Sequence, residues 1–197
     1  MPKIYIVRHG QTDSNLRCAC IGHKDVALNS TGEEQARMLA EKLRDVSFDI
    51  VYTSPLSRAV NTIMPTVNIR KDIKLVMNYG LIERDFGIMD DMNFDEIKEK
   101  FPDEYKKWMS DRIFYRPPEG ESIEDLQKRA GEAMDKIINA HKEDNILIVT
   151  HKAIARTILA HLLGLSPEQS GIFEPDNGRI AVVDFVDGIG KLEGLNI

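Results

Sequence analysis

Two histidines and two arginines follow closely on runs of apolar, largely β-branched residues. The first run, Ile4-Tyr5-Ile6-Val7, breaks into Arg8-His9-Gly10. The second, Asp49 to Thr53, leads through Ser54-Pro55-Leu56-Ser57 into Arg58. The third, Asn145 to Thr150, ends on His151-Lys152. An arginine offers a planar fork that fits phosphate or carboxylate. A histidine offers a nucleophile or a general acid-base near neutral pH. Taken singly, each motif reads equally well as a strand end whose polar residues meet solvent, because such short strings arise by chance. Taken together they say more. If the three strands are parallel neighbours, their motifs gather on one sheet edge, the edge where open α/β sheets bind ligands. The N-termini of two helices would point nearby, which suits a phosphate. Two histidines between two arginines have little reason to be protonated at rest, so one can act as a nucleophile.

The elements that must position these residues alternate between strand and helix. The pattern predicts an α/β fold, a three-layer sandwich with a mainly parallel central sheet, helices on both faces and a short helical lid. A polar loop is expected from Asp13 to Asn29, then a helix from about Gly32 to Arg44 capped by Ser30 or Thr31. Ala36, Leu39, Ala40 and Leu43 fall on one face of it. Pro55 suits the first turn of another helix, which Pro65 should end or kink. Ile73 to Met77 reads as a short strand. From Gly87 to Pro118 acidic residues interleave with Phe94, Phe101, Tyr105, Trp108, Phe114 and Tyr115. That stretch reads as two short helices forming a lid, an insertion at about 87–118 in one domain spanning 1–197. Ser122 and Asp125 form a capping box for a long helix to about His141. A further helix, Ala153 to Leu163, is closed by Gly164. Arg179 to Val186 and roughly Lys191 to Leu195 look like a hairpin turning at Asp187-Gly188.

The 197 residues carry a formal net charge of -6, which argues against a general binder of nucleic acid or of anionic membranes. Cys18 and Cys20, the two cysteines, are one residue apart and poorly placed to bridge. That favours a reducing compartment, and with no signal-peptide pattern and no spanning apolar run the cytoplasm is expected. A sheet edge or the acidic lid offers a surface for a homodimer.

The chain resembles the histidine phosphatase superfamily, also called phosphoglycerate mutase-like, over nearly its whole length. The motifs are Val7-Arg8-His9-Gly10-Gln11-Thr12 with Asn15, then Gly22, Asp25 and Leu28, then Gly32 with Gln35-Ala36. They continue through Thr53-Ser54-Pro55-Leu56 with Arg58-Ala59 and Thr62, Leu81-Ile82-Glu83 with Phe86-Gly87, Gly120-Glu121-Ser122, and Val149-Thr150-His151. Within the superfamily the motifs are nearest to the α-ribazole-phosphate phosphatase-like and broad-specificity group. The resemblance implies a small phosphorylated metabolite as partner, no cofactor and no metal. It implies His9 as a nucleophile forming a phosphohistidine, with Arg8, Arg58 and His151 holding the phosphoryl group. Glu83 would be the general acid and later the base. Gly10, Asn15, Ile21, Gly22, Lys152 and Ala153 would complete the substrate contacts. His23, His141 and His161 are expected to be structural.

Three residues depart from the family pattern. Lys152 and Asp91 stand where glycine is usual, and Ser14 where an aromatic is common. They bear on the substrate more than on the chemistry. Two rivals to a phosphatase follow. One is a 2,3-bisphosphoglycerate-dependent mutase, whose chains generally carry a larger lid. The other is a catalytically inactive phosphate-binding protein, against which the intact Arg8, His9, Arg58 and His151 set argues.

Overall fold

The computed structural model describes residues 2–186 and 188–197. Among them six strands form one sheet: β1 (Lys3–Arg8), β2 (Ile50–Thr53), β3 (Lys74–Met77), β4 (Ile146–Thr150), β5 (Ile180–Val186) and β6 (Ile189–Gly194). Their order across the sheet is β3-β2-β4-β1-β5-β6. The first four run parallel, while β5 and β6 each pair antiparallel with the strand before them in the sheet. The register sets Arg8 opposite Thr150 and Thr53 opposite Val149. The three strands that carry the motifs are therefore adjacent, with β4 in the middle and all three carboxyl ends abreast. Val186 pairs with Ile189, as a hairpin requires. Of its expected turn, Asp187 lies outside the described residues and Gly188 has φ of +82°.

Seven helices connect the described strands: α1 (Asp13–Leu16), α2 (Ser30–Leu43), α3 (Ser57–Ile69), α4 (Phe94–Lys100), α5 (Pro102–Ser110), α6 (Ile123–Ala140) and α7 (Lys152–Leu162). They cover both faces of the sheet. Ile146 and Ile148 of β4 meet Leu126, Met134 and Ile137 of α6 and Ile154 and Ile158 of α7. Leu147 and Val149 meet Leu39 and Leu43 of α2 and Ile63 of α3. A strand buried on both faces has to be apolar throughout, which is why Ile146–Thr150 is so clear in the sequence.

Several local expectations are corrected. The loop at Asp13–Asn29 begins with a helical turn, α1, closed by a reciprocal capping box between Thr12 and Asn15. The cap of α2 is Asn29, whose side chain accepts from the Gly32 N–H. Helix α3 starts at Ser57, after Pro55, so Arg58 is its second residue. Pro65 does not end α3, which runs four residues further. Buried Ala59, Thr62, Ile63 and Thr66 hold that helix on its neighbours, and this packing outweighs one missing hydrogen bond.

The segment from 87 to 118 contains a 3₁₀ turn (Gly87–Met89), then α4 and α5. Met89, Ile97, Trp108 and Tyr115 are buried together there, and Cys20 and Phe86 from outside the segment complete the cluster. Trp108 stacks on Tyr115, with ring centroids 6.0 Å apart, and lies 5.2 Å from Phe94. No helix among the described residues is long and apolar enough to cross a membrane.

Candidate active site

β1 ends inside the protein. The His9 N–H donates to the Thr150 carbonyl at 2.9 Å, one step beyond the sheet register. The Gly10 N–H donates to Thr62 Oγ1 at 2.8 Å. A Cβ on Gly10 would sit 2.6 Å from the Gly32 carbonyl oxygen, so only glycine lets the loop lie against the start of α2. His9 is buried at 4% exposure, and its Nδ1 is 2.7 Å from the Gly10 carbonyl. A carbonyl only accepts, so the proton sits on Nδ1 and the lone pair on Nε2. Burial, then Arg58 and Arg8, hold the imidazole well below its usual pKa. His9 is thus neutral near pH 7, with one nitrogen ready to attack.

Arg58 and His151 stand behind His9, both fully buried. The His151 ring centroid is 5.1 Å from that of His9. Arg58 Nε donates to His151 Nδ1 at 3.0 Å. That fixes the other tautomer, with the His151 Nε2–H donating to Ser54 Oγ at 2.8 Å. Burial first, then Arg58, His9 and Arg8, keeps His151 neutral as well. The two remaining Arg58 nitrogens donate to the carbonyls of Gly22 and Lys24. Those bonds shape the loop that carries Ile21, and Asp25 in the same loop caps α3 through the Ser57 N–H at 2.8 Å. Gly22 is tightly packed, because a Cβ there would come 2.5 Å from the Arg84 carbonyl. Arg8 Nη1 donates to the Pro175 carbonyl, but its Nε is buried with no partner among the described residues. A buried unpaired donor is costly, and this one belongs to the residue beside His9.

Glu83 is buried at 5% exposure and sits on the start of α7. Its Oε2 accepts from the Ala153 N–H at 3.0 Å, and its Oε1 accepts from Ile154 and Arg84 at 3.1 and 2.8 Å. His151, the residue before α7, makes no side-chain cap, so Glu83 supplies one from another element. The Ala153 N–H is thereby committed to Glu83.

A cavity of about 520 Å³ opens over these groups. Arg8, His9, Glu83, Asn15, Ile21, Lys152 and Ala153 line it, whereas Arg58, His151, Gly10 and Gly22 lie behind its wall. Its outer side is formed by Phe86, Phe94 and Trp108 with Arg84, Ile123 and Arg156. Asn15 Oδ1 accepts from the Thr12 N–H and from Asn177 Nδ2, which leaves the Asn15 amide donors for a ligand. Cys20 also lines the cavity, but burial pushes its thiol up to about 11, so it is no nucleophile at neutral pH. A larger cavity of about 830 Å³ lies at the amino ends of β1 and β4, among Ile4, Ile146, His141 and His161, far from the strand-end motifs. Each histidine outside the motifs has a local partner: the Glu83 carbonyl for His23, Tyr52 and Asp144 for His141, and Asp135 for His161. Among the described residues no group of three or more His, Cys, Asp or Glu side chains comes together as a metal-ligand set.

Three polar cavity residues were not singled out from the sequence. Asn177 Nδ2 donates to the His9 carbonyl at 2.9 Å, and its only local signal is the Asp176-Asn177-Gly178 turn before β5. Arg84 is 3% exposed, donates to the carbonyls of Glu121 and Tyr115, and lies 5.4 Å from the centre of the Trp108 ring. It directly follows Glu83, and that adjacency was the available signal. Arg156 falls one helical turn after Lys152.

The departures from the family pattern now have a geometry. Asp91 has φ of +64°, a left-handed conformation that explains why glycine is usual there. Its carboxylate accepts from Ser14 Oγ at 3.0 Å and pairs with Arg17 and Lys24 at 2.5 and 2.6 Å. Two departures, Ser14 and Asp91, therefore bond to each other. Lys152 points toward Glu174, with Nζ 2.8 Å from its Oε2.

Residues 4–197 match the model of the histidine phosphatase superfamily (branch 1). An uncharacterized phosphatase of Bacillus subtilis (strain 168), PhoE, is 32% identical over 100% of this chain and 95% of its own. A 2,3-bisphosphoglycerate-dependent phosphoglycerate mutase of Cytophaga hutchinsonii is 34% identical over 98% of this chain and 87% of its own. Among solved structures, the α-ribazole phosphatase of Shigella flexneri aligns with a TM-score of 0.93 at 28% identity, covering 99% of this chain and 96% of that one.

Proposed function

The chain belongs to the histidine phosphatase superfamily and is a phosphomonoester hydrolase, and on that premise we propose that it hydrolyses a small phosphorylated metabolite through a phosphohistidine on His9, without a metal ion. The observation that carries this reading is the pairing of His9 with Arg8. A neutral, buried imidazole has its Nε2 lone pair free, and the adjacent guanidinium has a buried N–H without a partner.

In the first half-reaction His9 Nε2 bonds to phosphorus and the bond to the leaving oxygen breaks. Glu83, once protonated, gives that oxygen its proton. In the second, water attacks phosphorus, Glu83 takes the water proton, and the P–N bond breaks to return His9. Phosphoryl transfer needs mainly positioning and charge at the equatorial oxygens. Arg8 and the Asn15 amide supply donors from the cavity wall, and Arg58 and His151 back them. Gly10, Gly22 and Ile21 hold the wall at close range, while Lys152 and Ala153 border the leaving group. The reducing cytoplasm remains the proposed location, in keeping with two unbridged cysteines.

The test is turnover of p-nitrophenyl phosphate in EDTA between pH 5 and 8. The expected result is activity lost in His9→Ala, together with loss of an acid-labile phosphoenzyme. Activity that appears only when a divalent cation is added would overturn the metal-free reading. The similarity to the Cytophaga mutase favours a second reading, isomerisation of phosphoglycerate. Conversion of 3- to 2-phosphoglycerate faster than phosphate release would put that reading first.

A further inference from the structure

Lys152 and Arg156 lie one turn apart on the first stretch of α7 and line the cavity that holds His9 and Glu83. Both are paired with the same carboxylate. Glu174 Oε2 is 2.8 Å from Lys152 Nζ, and its Oε1 meets Arg156 Nη2. Arg156 is further fixed by its Nε donating to the Phe173 carbonyl at 2.7 Å. Glu174 itself lines an adjoining cavity of about 460 Å³ that shares Arg84, Trp108, Ala153 and Arg156 with the first. Its side chain is 62% exposed, and that of Lys152 is 41% exposed. An ion pair this open contributes little to the fold, so exchanging its anion for another is inexpensive. The phosphoryl group is already served by Arg8 and the Asn15 amide on the cavity wall, with Arg58 behind them. Two further cations on the cavity wall therefore share one exposed surface carboxylate as their ion-pair partner.

We propose that the substrate carries a second anionic group, a carboxylate or a second phosphate, which Lys152 and Arg156 receive in place of Glu174. This rests on the phosphatase reading above and names the class of its substrate. Glu174 then acts as a stand-in that keeps the two cations poised until the substrate binds. Lys152, where glycine is usual, becomes a residue that sets specificity in this chain.

The experiment is calorimetric binding in a His9→Ala background, which does not consume its ligands, with folding checked by circular dichroism. The ligands are matched pairs: 3-phosphoglycerate against glycerol 3-phosphate, and fructose 1,6-bisphosphate against fructose 6-phosphate. The member with the second anion should bind about three- to tenfold more tightly. Glu174→Gln should widen that ratio, and Lys152→Gln should narrow it toward one. A gap in the first pair alone identifies a carboxylate, and a gap in the second alone a phosphate. Equal binding within both pairs, a ratio unmoved by either substitution, or no binding by any of the four overturns the proposal. Turnover of p-nitrophenyl phosphate by the unsubstituted protein is read separately. Turnover without a binding gap refutes only the second anion, whereas no turnover refutes the phosphatase reading.

Discussion

Replacing Glu83 with glutamine keeps the shape of the side chain and removes its proton chemistry. The three backbone donors around the carboxylate set the effect on stability. The amide oxygen can still accept from Arg84 and Ile154 at the Oε1 position, but the amide nitrogen then faces the Ala153 N–H, donor against donor. One hydrogen bond to a charged group is lost, worth about 1.5–3 kcal/mol. The negative charge at the start of α7 is lost too, worth about 0.3–1 kcal/mol. Together the cost is about 2–4 kcal/mol, which for a chain of this size lowers Tm by roughly 4–16 °C and leaves the protein folded at 25 °C. The effect on catalysis depends on the leaving group. An alkyl alkoxide must be protonated as it departs, so an alkyl phosphomonoester should lose about 10²–10⁴ in rate. The p-nitrophenolate anion departs without a proton, so the first turnover of p-nitrophenyl phosphate should be nearly normal. The second half-reaction, lacking its base, should then stall and leave a burst of one equivalent of nitrophenol with the phosphoenzyme accumulated. Rapid-quench measurement of both substrates reads this directly. An equal slowing of the first turnover for both leaving groups, in a protein with native circular dichroism, would show that Glu83 only caps α7 and is not the proton donor.

Three further outcomes are expected. His9 and His151 are held neutral by burial beside guanidinium groups, so both pKa values lie below the usual 6.5. Below about pH 6.5 the unfolded chain binds protons that the folded protein refuses, so stability falls as pH falls, by up to about 1.4 kcal/mol per pH unit for each histidine. It is flat with respect to these groups above that pH. Urea denaturation at pH 7.5, 6.5 and 5.5 checks the sign, and equal midpoints would contradict it. Asp91→Gly relieves a left-handed backbone but breaks the contacts to Ser14, Arg17 and Lys24. The two effects are comparable, so stability should change by less than about 1 kcal/mol, while the looser link between lid and loop should appear as a higher KM. Trp108 is the single tryptophan and lines the cavity. Titration with orthovanadate should therefore give a saturable change in its emission. A flat titration, at vanadate concentrations that inhibit turnover, would mean that the lid side of the cavity does not respond to the phosphoryl site.

The apolar runs and their order along the chain dictate the sheet and its chemical edge. Apolar runs such as Ile146–Thr150 must be buried on both faces, and a strand followed by a helix must cross over to a parallel neighbour. Three such units bring Arg8, His9 and His151, with Arg58 close behind, to one place whatever the loops do. Capping was half legible. The Ser122–Asp125 box is local and could be read, and the Asn29 cap is equally local but competes with Ser30 and Thr31 beside it, whereas Asp25 and Glu83 cap from 32 and 70 residues away, which no short window contains. Pro65 misled for a related reason: local propensity argues for a break, and tertiary packing on α2 decides otherwise. Only the folded chain decides that Arg58 and His151 lie behind the wall while Arg8, Asn15 and Asn177 reach its surface. The same holds for the two imidazoles, which have opposite tautomers because one meets a carbonyl and the other a guanidinium. It holds as well for Asp91 with Ser14 and for Lys152 with Glu174, pairs separated by 77 residues and 22 residues in the chain. Residue type announces what chemistry a side chain can do, but distance and burial decide which partner it does it with, and those exist only once the chain has folded.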